Sequence, residues 1–214
     1  MRLLILPLLL TACASAQEPA YPKFEWFGAY SALRTSYVYI NLGEATTNVG
    51  SNAGFEASAI RNLSRYIGIK GDFSAHFGSD GYPITLLPSC PQTPCSTIQQ
   101  DLSLHSRLFN FLAGPELKLH RRARFSPFLH ALYGVEHTTT RWSTSGATLT
   151  LAQTIPHTAF AMVYGGGLDV RITHRAGIRY SVDYSLNFHG GGRDPSGERE
   201  RLDTLRMSVG ILFH

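Results

Sequence analysis

The sequence lacks any apolar run long enough to cross a membrane as a helix. The greasy stretch at residues 3–10 falls well short of the roughly 20 residues a bilayer core requires. Mean hydropathy is near zero at −0.06, which excludes a polytopic helical membrane protein. Cysteine is scarce, with three in 214 residues, and no further ligand types crowd around them to suggest a metal site. Charge of one sign is also lacking. Lys and Arg number 19 against 15 Asp and Glu, a net +4 scattered along the chain, so the dense basic stripe of a nucleic-acid binder is missing. There is no stretch of helical period of useful length and no repeat of solenoid spacing. No G-x-S-x-G elbow and no H-E-x-x-H pair occurs, despite nine histidines. Neither a catalytic site, a cofactor site nor a metal site is expected.

What is present begins with a targeting segment. Arg2 supplies a positive start, residues 3–10 an apolar core, and Ala14-Ser15-Ala16 a small-x-small cleavage site. Residues 1–16 therefore read as a signal peptide, followed by a short lead-in at 17–22 and one domain over 23–214. The string Leu10-Thr11-Ala12-Cys13 keeps open a second reading, a lipoprotein signal with Cys13 lipidated. Either way the chain is exported. In an oxidising compartment, Cys90 and Cys95 of LPSCPQTPC are expected to form a local disulfide that stiffens one loop.

Beyond residue 23 the chain alternates. In FAMVYGGGLDVR (160–171), Phe160, Met162, Tyr164, Leu168 and Val170 share one face, and Gly165, Gly167, Asp169 and Arg171 the other. In 178–188, Ile178, Tyr180, Val182, Tyr184, Leu186 and Phe188 alternate with Arg179, Ser181, Asp183, Ser185 and Asn187. A period of two is the mark of a strand with unlike faces, and a run of about ten tilted residues spans a bilayer. Eight such segments can be cut, at 24–33, 54–60, 66–77, 105–118, 127–138, 160–171, 178–188 and 205–214. The connections between them run long, short, long, short, long, short, long. The short turns fall at 62–65, 120–124 and 173–176, and irregular loops are expected at 34–53, 78–104, 139–156 and 189–200. With both termini on one side, all four long loops lie on the other, as in an up-and-down outer-membrane barrel.

Residue size decides which face is inside. Trp26, Tyr30, Phe73, Phe109, Phe111, Tyr133, Tyr164 and Tyr180 are too bulky for an eight-stranded lumen, which is only wide enough for side chains to fill. Small residues such as Ser31, Ser58, Gly114, Gly134 and Gly165 fit it, mixed with isolated charges. An all-β, eight-stranded antiparallel transmembrane barrel is therefore expected, apolar outside and polar inside. Its luminal charges would be Glu25, Glu56, Asp72, Glu116, Glu136, Asp169 and Asp183 against Lys70, Lys118, Arg171, Arg179 and Arg206. Charges in a packed lumen have to pair, because an isolated one is costly to bury.

The stretches FEWFGAYSALR, YIGIKGDFSAHFG, PFLHALYGVEH, GGGLDVRIT, IRYSVDYS and RMSVGILFH, in that order, resemble the small outer-membrane barrels of the OmpA-transmembrane, OmpX and Opa type. The resemblance implies an outer-membrane location in a Gram-negative-type bacterium and partners in outer-membrane lipid, lipopolysaccharide and the insertion machinery. Members close on an aromatic residue that this machinery reads. Phe213 matches it, one residue before His214. A non-enzymatic role in the envelope is expected, with a surface ligand held by the extracellular loops. Two other readings stay open at this point: a narrow ion-conducting barrel, and a lipid-modifying enzyme that uses Ser and His on neighbouring strands. The HGGG string at 189–192 matches an oxyanion loop in letters only.

Overall fold

A computed structural model describes residues 21–41, 44–86, 98–119, 124–145, 151–193 and 199–214. The eight strands are β1 (Phe24–Asn41), β2 (Glu44–Asn62), β3 (Ile67–Leu86), β4 (Ile98–Lys118), β5 (Phe125–Ser145), β6 (Leu151–Arg171), β7 (Ala176–Arg193) and β8 (Arg199–Phe213). Each pairs antiparallel with the next, and β1 pairs with β8 from Trp26↔Phe213 to Thr35↔Thr204, closing the barrel. Closure leaves no edge strand, as a sheet in lipid requires.

The short turns form where the alternation stops. Ser64 Oγ accepts from the Tyr66 and Ile67 amides at 3.2 and 3.0 Å, and Leu63 N donates to Ile67 O at 2.9 Å. Thr173 does the same between β6 and β7, accepting from Arg175 N at 3.2 Å and Ala176 N at 3.0 Å. Both hydroxyls stand in for a backbone acceptor, the reason Ser and Thr favour such turns. His214 N donates to Arg175 O at 3.0 Å, which places the C-terminal end of β8 beside these turns.

At the other end the structure departs from the expected loops. Sheet continues through most of 34–53, 78–104, 139–156 and 189–200, giving strands of 15 to 21 residues. Only residues 42–43 separate β1 from β2, so the first expected loop is a long hairpin. Past the bilayer both faces of a strand meet water, so the ladder continues while the alternation that would reveal it fades.

The outward rows are apolar and free of charge. Trp26, Phe111, Leu129, Tyr180 and Ile211 are among the exposed side chains, Leu129 at 65%. Positions 26–32, 53–59, 67–77, 109–117, 125–135, 160–170, 178–188 and 205–213 carry no charged residue on their outward side. Aromatic neighbours touch across strands, Phe73 and Phe111 with ring centroids 4.9 Å apart, and Phe77 and Phe109 edge-on at 6.2 Å. Glycine is demanded inside where strands approach closely. A Cβ on Gly134 would run into the carbonyl of Phe111, and one on Gly114 into that of Ala131.

Candidate functional site

The charged lumen is where this chain concentrates its chemistry. Alternation turns Glu25, Glu56, Lys70, Asp72, Glu116, Lys118, Glu136, Asp169, Arg179, Asp183 and Arg206 inward, and all are buried. Most of them gather into two groups.

The first lies next to the short turns. Arg179 grips two carboxylates at once. Its Nη1 and Nη2 donate to Glu116 at 3.1 Å each, while Nε and Nη2 donate to Asp169 at 2.7 and 3.0 Å. Phe128 lies under the guanidinium at 4.1 Å, so the cation is stacked as well as bonded. Lys118 Nζ donates to Glu25 and sits 2.8 Å from Asp169. His214 Nδ1 approaches Glu25 at 3.4 Å. Arg171 is half-buried at the same mouth, beside a cavity of only about 10 Å³, which is room for one water.

The second group lies deeper. Lys70 Nζ is 3.0 Å from Glu56 and 3.1 Å from Asp72. Arg206 donates from Nη1 to Asp72 at 2.9 Å and from Nη2 to Asp183 at 2.7 Å. His130 Nε2 is 2.9 Å from the other oxygen of Asp183. Each group thus holds two fixed cations, three carboxylates and one imidazole. One imidazole lies beside a carboxylate that a fixed cation already holds in each group, His214 by Glu25 and His130 by Asp183.

Glu136 stands apart from both. It is 2% exposed, accepts from Thr138 Oγ1 at 3.3 Å, and meets no cation among the described residues. Sequence alternation puts it on the inner face but carries no information on depth or partners.

Two small apolar clusters share the lumen with these polar groups, a feature the sequence reading does not anticipate. Phe27, Ile60 and Leu212 form one cluster, and Leu112, Leu132, Ala161 and Val163 another. Ser31 Oγ and His76 Nε2 lie 2.9 Å apart, from strands β1 and β3, with Ser208 donating to Ser31 at 3.0 Å. The pair has the contact of a nucleophile and a base. It is fully buried, and His76 Nδ1 has no acid to orient it among the described residues. Among the described residues no group of three His, Cys, Asp or Glu converges to hold a metal. Phe213 is outward and 52% exposed, paired with Trp26 and Ala176. Cys13, Cys90, Cys95 and the signal segment lie outside the described residues.

A closed eight-stranded antiparallel barrel, apolar and uncharged around its waist and ion-paired within, is an outer-membrane β-barrel. Comparison with solved structures agrees on the fold. The chain is similar to Ail, the attachment invasion locus protein of Yersinia pestis, crystallised with the heparin analogue sucrose octasulfate; identity is 15%, TM-score 0.51, over 90% of this chain and 100% of that one. It is also similar to the outer membrane protein OprG of Pseudomonas aeruginosa, at 10% identity and TM-score 0.44 over 89% and 94%. The outer membrane protease OmpT of Escherichia coli follows at 7% identity and TM-score 0.49 over 92% and 99%. No protein-family model and no curated protein sequence matches the chain.

Proposed function

We propose that this barrel is non-enzymatic, closed to ions, and serves the envelope as a structural and surface-contact protein. The observation that carries this reading is the filled lumen. Two ion-paired groups and two apolar clusters occupy it, and the cavity at the periplasmic mouth has room for about one water. A conducting path would have to break several buried ion pairs, each costly to leave unpaired. A hydrolase would need a nucleophile its substrate can reach, and Ser31 is fully buried. Surface contact falls to the extended hairpins opposite the short turns, and Phe213 serves as the insertion signal.

The test is conductance of the refolded protein in a planar bilayer. Steady baseline current is expected across both polarities, and discrete steps would overturn the reading in favour of an ion path. Mass spectrometry of lipid A from an overexpressing strain is expected to show unchanged acyl chains. Loss or gain of a chain would establish an enzyme instead.

A further inference from the structure

The outer wall changes character just above the apolar band. On β4, Phe109 gives way to Arg107 and then His105; on β5, Val135 gives way to His137 and then Arg141. Strand pairing sets His105 opposite Arg141, and Phe77 opposite Arg107. These side chains line an outward groove of about 790 Å³ together with Thr139 and Thr154. Both arginines are exposed, and neither makes an ion pair among the described residues. From residue 137 to 158 the sequence has no Asp or Glu at all. Asp101 is the next acid on the outward row of β4, four residues past His105 and so roughly 13 Å away.

Two guanidinium groups with no ion-pair partner among the described residues thus stand side by side on this part of the wall, facing away from the lumen. In an outer leaflet this is the level of phosphate-bearing headgroups, and the guanidinium fork matches phosphate oxygens in pairs. The same strands continue downward into an apolar furrow of about 600 Å³, where Gly71 and Ala113 leave space between Phe73, Phe111 and Tyr133. An acyl chain fits a furrow of that kind; a soluble anion would leave it empty.

We propose that this wall is a binding site for a phosphorylated glycolipid of the outer leaflet, with its phosphate on Arg107 and Arg141 and an acyl chain in the furrow below. The proposal rests on the outer-membrane placement of the barrel, and names the lipid-contact residues that placement leaves unspecified. It favours a lipid over a soluble glycan because the cations adjoin the apolar band rather than the hairpin tips.

The experiment titrates the folded full-length barrel in detergent with phosphorylated lipid A, the same lipid A dephosphorylated, and a sulfated oligosaccharide without acyl chains. R107Q/R141Q is expected to weaken binding of phosphorylated lipid A by about tenfold or more. Dephosphorylation is expected to produce a similar loss on the unsubstituted protein, and R175Q, at the opposite end, no change. Equal affinity of the double variant, or of the dephosphorylated lipid, would overturn the proposal. So would equal binding of the sulfated oligosaccharide, which would assign the groove to a glycan. Heat-modifiable migration of each variant on a gel keeps the outcomes separate from a failure to form the barrel.

Discussion

Arg179 is the residue on which the periplasmic half of the lumen depends most heavily. It neutralises Glu116 and Asp169 through four hydrogen bonds and is fully buried between Phe128 and Phe27. Arg179→Met would leave Glu116 and Asp169 without the guanidinium that bonds both, and should cost about 3–5 kcal/mol of stability in a urea unfolding series. Arg179→Lys should recover only part of it, because an ammonium restores the charge but not the two-sided fork. A loss below about 1 kcal/mol for the methionine variant, the size of an exposed pair, would contradict the ion-pair account. At this scale the sequence was legible in one respect. Period-two alternation assigns Arg179, Glu116 and Asp169 to the inner face, because side-chain direction is a local property of a strand. That Arg179 meets Glu116, 63 positions away, depends on strand register and barrel tilt, which no local pattern contains. The Ser31–His76 contact and the isolation of Glu136 escape sequence reading for the same reason.

Strands and turns were readable as far as lipid imposes a pattern on them. The three short connections fall within a residue or so of the sequence reading because Ser64 and Thr173 punctuate two of them chemically. Ser64→Ala and Thr173→Ala each remove one hydroxyl that accepts from two turn amides, and each should cost about 1 kcal/mol by denaturant midpoint at unchanged slope. An unchanged midpoint for both would mean that water replaces the hydroxyls without loss. The upper halves of the strands were not legible. The Thr- and Ser-rich run at 139–145 has no alternation of polarity, yet Thr140↔Ile155 and Thr144↔Leu151 are paired in the ladder. Backbone pairing extends it, and backbone groups are the same in every residue.

At the scale of the whole molecule, the fold follows from two solvents. Lipid outside excludes charge from the outward rows, and the narrow interior forces the charges it receives to pair. The cost of a misplaced charge should therefore depend on depth. Phe111→Arg, in the middle of the band, should destabilise refolding into vesicles by about 2–4 kcal/mol, and Phe125→Arg, beside the β4–β5 turn, by about 0–1 kcal/mol. Equal costs would contradict the assigned depth. The central claim, an apolar face turned to lipid and a charged face sealed inside, is tested most directly by nitroxide scanning of β7. Single cysteines are introduced at each position from 178 to 188, with the native cysteines replaced by serine, and the labelled protein is placed in vesicles. Oxygen dissolved in the bilayer should relax labels at 178, 180, 182, 184, 186 and 188 strongly, and those at the odd positions weakly. Uniform relaxation along the strand, or alternation in the opposite phase, would contradict it.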